Sequence, residues 1–439
     1  MTAKKIILTT FGSYGDIHPY MALALELQAR GHHPVIATSE LYREKMQSAG
    51  FDFVPLRPNL PPPAEQDQEM MDKVMHPRSG SGFLLNEMLF PFVRESYEDL
   101  LEAVNGADLL LTHPITFAGP LVAQKTGIPW ISSVLAPASF LSAYDPPIPP
   151  FWQWMRHIEL LGPRIVRAFF NQVKKVYKNK TYNDFRDELG LPDRGSPVFE
   201  GQHSPTLVLA LFSRLFAQPQ PDWPPQARVT GFAFYDGRKE VELPRDLLNF
   251  LDGGSPPIVF TLGSSAVWVA RDFFHESIAA AKMLGRRAVL LIGDQRNRPA
   301  EALPAEVFAS DYAPYEVLLP RACVIVHHGG VGTTSQGLRA GVPTLIVPFA
   351  FDQPDNAAHA ARLGTSRTLP RGKYRASRVA KELRKLLEEP AYARNARTLG
   401  ERLRAENGAA VACDLIESFM QNDGANEHLG EELTYASGH

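Results

Sequence analysis

Short runs that are apolar from end to end, separated by longer stretches of helical period, constrain this chain more than any other feature. In the first half the runs are KKIILTTF, HPVIATS, ADLLLTHP, PWISSVL and TLVLALF; in the second they are ARVTGFAF, PPIVFTLG, RAVLLIG, CVIVHHG and PTLIVPF. A strand with one solvated face alternates polar and apolar residues, so strands without alternation belong to parallel sheets covered by helices on both sides. The intervening stretches supply those helices. In PYMALALELQARG, Leu23, Leu27 and the neighbouring alanines make one apolar face, and Gly31 stands where the helix stops. The alternation runs twice, and the two runs meet at AQPQPDWPPQ, residues 217–226, whose four prolines exclude a helix interior or a central strand. The expectation is an α/β protein of two Rossmann-like domains facing across a cleft, 1–220 and 221–405, with ligands at the carboxyl ends of the strands. Residues 406–421 read as a helix returning to the first domain, and 422–439 as a loose polar tail.

Charge and length exclude other classes. With 45 Lys and Arg against 48 Asp and Glu the net charge is −3, which argues against the broad basic face of a nucleic-acid binder. No run approaches the ~18 apolar residues of a membrane span. The N-terminal MTAKKIILTTFG reads as a first strand rather than a signal peptide, because Gly12 and Asp16 follow its short apolar run at once. Cys323 and Cys413 lie far apart without metal spacing, and Cys323 opens an apolar strand as a core thiol would; the expected setting is reducing cytoplasm.

Two segments break the pattern. Residues 57–82, RPNLPPPAEQDQEMMDKVMHPRSGSG, form a polar, Pro-rich insertion that reads as a mobile loop. Residues 144–180 begin YDPPIPPFWQWM and continue as aromatic and aliphatic residues mixed with arginines and lysines. Three readings fit: an acceptor lid with Phe151, Trp152, Trp154 and Met155 lining an apolar cavity, an interfacial helix on anionic lipid, or surface helices with an apolar underside.

The stretch HHGGVGTTSQG, 327–337, follows the strand CVIV. Such a turn exposes free N–H groups at a helix start, where the helix dipole favours an anion, and glycines admit a phosphate close to the backbone. Thr333, Thr334 and Ser335 add hydroxyl donors, and a histidine donates to a phosphate oxygen, more strongly when protonated. The spacing is neither a P-loop nor GxGxxG. Downstream, AFDQPDNA places Asp352, Gln353, Asp355 and Asn356 at another strand's carboxyl end, where carboxylates and amides suit sugar hydroxyls; capping of the following helix is the competing explanation.

Together, HHGGVGTTSQGLRAGVPTLIVPFAFDQPDNA resembles the donor-binding signature of family 1 glycosyltransferases, with GSYGDIHPYMALALELQARGH, TLGSS and DYAPYEVLLP at matching places. PQPDWPPQARVTGFAFYDG and GSYGD are most similar to the rhamnosyltransferases of rhamnolipid synthesis, with bacterial sterol and flavonoid glycosyltransferases close beside them. The resemblance implies the GT-B fold and a donor site of His328, Gly330, Gly332, Thr333 and Thr334 on the diphosphate. Ser264 and Ser265 would lie on its other side and Tyr312 against the nucleobase, with Tyr315 nearby. Gln336 would hold the ribose, and Asp352 and Gln353 the sugar hydroxyls. Val331 stands where plant members carry Trp, which favours dTDP-sugars over UDP-glucose.

In GSYGDIHP, Asp16 occupies the family's catalytic position, and independently a carboxylate in the turn after the first strand faces the ligand edge of such a sheet. A carboxylate within reach of the acceptor hydroxyl takes its proton as attack proceeds. His18 is the rival base or an acceptor contact, and His113, at the end of ADLLLTHP, would touch the acceptor, Asp16 or only the core. The resemblance implies an inverting transfer of a hexose, rhamnose or glucose, to a hydroxyl of a hydroxy-fatty acid, flavonoid or sterol. No DxD occurs, so a metal clamp is not needed and no cofactor beyond the nucleotide sugar is expected. A nucleotide-sugar epimerase of related fold and a non-catalytic nucleotide-sugar binder are the alternatives.

Overall fold

The structure, a computed structural model, describes residues 2–62, 65, 67–150, 153–177, 179–237 and 242–435. The first sheet contains β1 (Lys5–Thr9), β2 (His33–Thr38), β3 (Asp52–Pro55), β4 (Leu109–Thr112), β5 (Trp130–Val134), β6 (Val208–Ala210) and β7 (Ala227–Val229) in the order β3-β2-β1-β4-β5-β6-β7. The second contains β8 (Ile258–Thr261), β9 (Ala288–Leu291), β10 (Val307–Ser310), β11 (Val324–His327), β12 (Thr344–Ile346) and β13 (Ser366–Thr368) in the order β10-β9-β8-β11-β12-β13. Every pairing is parallel. The helices that position the cleft are α1 (Tyr14–Ala29), α2 (Gln68–Val74), α3 (Val331–Ala340), α4 (Gln353–Arg362) and α5 (Gly408–Tyr435).

The end-to-end apolar strands serve two cores at once. Ile258 and Phe260 of β8, with Val324 and Val326 of β11, enter one cluster, while Val259 and Ile325 between them enter another on the opposite face. Ile7 and Leu110 split from Ile6, Leu8, Leu109 and Leu111 in the same way in the first sheet. Each such side chain, fully buried, contributes about 1.5–3 kcal/mol.

The connection at 217–226 lies within the first sheet, between β6 and β7, so ARVTGFAF starts as that sheet's last strand rather than as the first strand of a second domain. The chain crosses after β7, and it crosses back before α5. The two passages touch at Gly231 and Gly408, where a Cβ on Gly408 would stand 2.5 Å from the Gly231 carbonyl carbon. Beyond that point α5 lies on α1: Ala412, Cys413 and Ile416 join Leu23 and Leu27 in one core, and Arg30 reaches Asp414 at 2.6 Å and Glu417 at 2.7 Å. The helix continues to Tyr435, through most of the stretch expected as a loose tail.

The insertion 57–82 is not a free loop. Its helix α2 crosses to the second domain, where Met75, 1% exposed, sits in the core with Phe260, Val267 and Ala270, and Met71 and Val74 flank it. Gln68 donates to the Trp268 carbonyl at 3.0 Å, and Asp72 pairs with Arg271 at 3.2 Å. Among the described residues no helix is long and apolar enough to cross a membrane. Removing the buried anchor should cost what a core methionine costs: Met75→Ala is expected to lower stability by about 2–5 kcal/mol in urea unfolding, whereas an unchanged midpoint would show that the insertion does not hold the second domain.

Candidate active site

In both sheets the strand order reverses beside the first strand, between β1 and β4 and between β8 and β11, and the loops that leave those strands open a crevice at their carboxyl ends. From the first sheet come Asp16 and His113. Asp16 lies in the first turn of α1, where its Oδ2 accepts from the Ser13 amide at 2.8 Å and the Ser13 hydroxyl at 3.1 Å, a capping box. Gly12, at φ +126°, permits this: a Cβ there would stand 2.4 Å from Asp16 Oδ2. His113 follows β4. Its Nδ1 accepts from the Ile115 amide at 3.2 Å, so the neutral ring carries its proton on Nε2, which faces Asp16 Oδ1 at 3.5 Å. One carboxylate is thus held from two sides and stays partly open to the cleft.

His18 is not brought to this pair. Two residues on a helix turn through about 200°, so His18 points away from Asp16 and stacks between Tyr14, centroids 5.3 Å apart, and Tyr235 at 5.6 Å. Burial and the nearby Lys45 push its pKa down to about 4. Phe151 and Trp152 lie outside the described residues, and Trp154 is described only in its backbone. Phe11 after β1 and Ile115 and Phe117 after β4, with Leu56, Leu89 and Val93, line a small apolar crevice in the core of the first domain.

The second domain supplies the opposite wall. His327 is fully buried, its Nδ1 accepting from the Gly329 amide at 3.1 Å, and shapes the turn. His328 is wedged between two glycines: a Cβ on Gly263 would stand 2.5 Å from its Cε1, and one on Gly330 2.5 Å from its Nε2. Burial pushes its pKa down to about 4, so at neutral pH it acts as a neutral donor, not as the imidazolium. Helix α3 begins at Gly330 with no side-chain cap and no acidic residue in its first turn, so its positive end is uncompensated. There His328 Nδ1 and Thr334 Oγ1 are buried without a hydrogen-bond partner, groups that a bound oxyanion could satisfy.

The neighbouring residues divide between contact and support. Tyr315 is half-buried, and its hydroxyl lies 2.9 Å from Thr261 Oγ1 and also bonds Thr333, so it braces the loop from behind. Ser264 Oγ accepts from the Tyr14 amide of the first domain at 3.2 Å, with Ser265 half-buried beside it. Gln336 is half-buried on α3, and the Tyr312 ring is open, 68% exposed. The starts of α1 and α3 meet across the cleft, where a Cβ on Gly332 would stand 3.3 Å from the Gly15 Cα.

Asp352 enters from the loop after β12, turned by Phe351 in the left-handed region at φ +56°. Its Oδ2 accepts from Asn356 at 2.7 Å, and Asn356 also donates to the Gly329 carbonyl at 3.0 Å. Burial raises its pKa to about 7, and the charge of Asp16 across the cleft adds to the effect. Gln353, by contrast, spends its Oε1 on the amides of Phe349 and Ala350 at 2.8 and 3.0 Å; it shapes the loop that aims Asp352. Among the described residues, no group of three or more His, Cys, Asp or Glu is arranged to hold a metal.

Residues 6–92 match the family model of the glycosyltransferase family 28 N-terminal domain, and residues 276–417 that of the erythromycin biosynthesis protein CIII-like C-terminal domain. The O-mycaminosyltylonolide 6-deoxyallosyltransferase of Streptomyces fradiae is 33% identical over 427 residues, covering 95% of this chain and 98% of that protein. The chain is a GT-B glycosyltransferase. The transferase is also 29% identical over 440 residues to the sterol 3-beta-glucosyltransferase of Leptosphaeria maculans, covering 94% of this chain but spanning only 28% of that protein. The spinosyn rhamnosyltransferase SpnG, solved with thymidine diphosphate, shares the fold at a TM-score of 0.65 and 17% identity, over 94% of this chain and 99% of that one.

Asn356, grouped from the sequence with the residues suited to sugar hydroxyls, instead braces Asp352 and Gly329, and Gly263 and Gly12, not named as site residues from the sequence, make room for His328 and Asp16. The approach at Gly12 is made by Asp16 four residues on, whereas that at Gly263 is made by His328 from another strand end and left no local signal. The raised pKa of Asp352 has a consequence for stability. The folded chain keeps its proton up to about pH 7, whereas the unfolded chain releases it near ~4. Between those values the folded state binds more protons, so this contribution to stability is lost as pH rises to 7. Asp352→Asn is therefore expected to gain melting temperature relative to the native chain on going from pH 4.5 to pH 8; a difference independent of pH would contradict the protonated carboxyl.

Proposed function

We propose that the transferase moves a hexose from a dTDP- or UDP-linked donor to a hydroxyl of an apolar acceptor, inverting the anomeric carbon. One observation carries this reading: Asp16, fixed by Ser13 and His113, faces the uncapped start of α3, with His328 and Asp352, across a single cleft. The diphosphate would lie on the free N–H groups at the start of α3, with His328 and Thr334 donating and Ser264 on its other side. Asp352 would accept the sugar hydroxyls, and Tyr312 would offer its open ring to the nucleobase. The acceptor would bring its hydroxyl to Asp16. As the new C–O bond forms and the bond to the diphosphate breaks, Asp16 takes the hydroxyl proton, and the His113 Nε2–H steadies the carboxylate until then. The charge that gathers on the leaving diphosphate meets the α3 amides and His328, which need no reorganisation.

The relatives support the acceptor class, since one acts on O-mycaminosyltylonolide and others are sterol glucosyltransferases. Dissociable contact of segment 144–180 with anionic lipid at the cytoplasmic face has some support in the exposed Leu160, Leu161 and Ile165 beside Arg164. The reading of that segment as an acceptor lid has more, because Ile148 is tied to the donor-binding domain.

Asp16→Asn keeps the shape of the capping group and removes the base. It is expected to lower kcat by about 10²–10⁴ while the affinity for dTDP stays within about twofold; near-native turnover would remove Asp16 from the role. A thermal-shift comparison of dTDP with UDP tests the donor. The base that is bound should raise the melting temperature through mass action, and a null result with both would overturn the donor assignment.

A further inference from the structure

The helix that begins at Asp352 continues as a docking face for the other domain. Asp355, His359 and Arg362 follow one another at helical spacing on α4 and share one side of it. Asp355 Oδ1 accepts from the Ile148 amide at 3.1 Å, and its Oδ2 lies 3.5 Å from His359 Nε2. His359 bonds the Phe216 carbonyl through Nδ1 at 3.2 Å and faces Asp145 Oδ2 at 3.6 Å. Arg362 forks onto both oxygens of Asp145 at 2.9 and 3.2 Å. Asp355 is 4% exposed and His359 3%, so these groups are held out of water and depend on each other and on the first domain for partners.

The sequence around Ile148 sharpens the point. In DPPIPP, residues 145–150, four of the six residues are prolines, which lack an amide proton and hold an extended, stiff backbone. Ile148 carries the one N–H between them, and Asp355 takes it. This stiff rod heads segment 144–180, whose Ile158, Val166 and Phe170 close over Ala143. Asp355 stands three residues after Asp352, about 4.5 Å along a rigid helix. The tie and the sugar-facing carboxylate therefore move as one body.

We propose that Asp355, His359 and Arg362 are positioning residues that fasten the Asp145–Ile148 rod to the sugar end of the donor site, so that filling the sugar site orders the acceptor segment. The proposal rests on Asp352 contacting the donor sugar. Hydrogen–deuterium exchange on the whole protein tests it, because in the peptide 145–150 the amide of Ile148 is the single reporter. In the native chain dTDP-glucose or UDP-glucose should slow this peptide, and the nucleoside diphosphate alone should not. In Asp355→Asn and Asp145→Asn exchange should run about tenfold faster and should no longer respond to the sugar. The acceptor KM, measured with the acceptor that turns over, should rise while dTDP or UDP affinity holds. Native and variant peptides exchanging alike, or sugar nucleotide and bare diphosphate acting alike on the native peptide, would overturn the coupling. If neither sugar nucleotide shifts the melting temperature, the donor reading fails and the coupling with it; faster exchange in Asp355→Asn would then leave only the mechanical tie.

Discussion

Parallel pairing is the constraint on which the rest of this structure depends. It sends the carboxyl ends of β1 and β4, and of β8, β11 and β12, to the facing edges of two sheets, and with them the starts of the helices that follow. A helix start is a cluster of unpaired N–H groups and a positive pole. Two such starts, those of α1 and α3, stand against each other at Gly15 and Gly332. In α1 the pole is answered by Asp16 and Ser13; in α3 it is left open. The cleft is thus electrostatically asymmetric, with a carboxylate on one wall and an uncompensated helix start on the other, an order that suits the proposed transfer.

Low dielectric sets the protonation states of the groups around that seat. Burial strips the charge from His328, which leaves a neutral donor whose orientation is set by Gly263 and Gly330 rather than by an ion pair. The same burial brings Asp352 close to neutrality, while Asp16 is braced by Ser13 and His113 at the partly open side of the cleft. Around the cleft the domains are fastened at several places: α2 on the second core, the Ile148 rod on α4, and the two chain passages at Gly231 and Gly408.

The central strands were legible because burial on both faces writes an unbroken apolar run. The strands that the sequence reading missed are β3, β10 and β13, all at sheet edges, where one side lacks a neighbour and the residues are mixed. β7, also an edge strand, was seen but given to the wrong sheet, since a short strand carries no mark of its partner. The polar insertion 57–82 looked mobile because its core contacts are few and scattered, Met75 with Met71 and Val74 beside it and Leu60 on the other domain, too sparse to register against its prolines and charges. At the site, Asp16 and Asp352 stood out at strand ends and helix starts, which are local features, while the choice of His328 over His327 came from the family resemblance. That His18 turns away, and that Tyr315 and Gln353 serve as braces, depends on what each side chain meets across the fold.

The sequence alone determined the two parallel sheets, the glycine-lined helix start and the carboxylates after β1 and β12, because period, glycine and strand end act within a few residues. The tertiary structure decided which of those groups meet: Asp16 with His113, His328 with Gly263, and Ile148 with Asp355. Those meetings join residues 65 to 207 positions apart, and only the crossing of the chain between two packed sheets, with water excluded between them, brings such residues into contact and sets their charge.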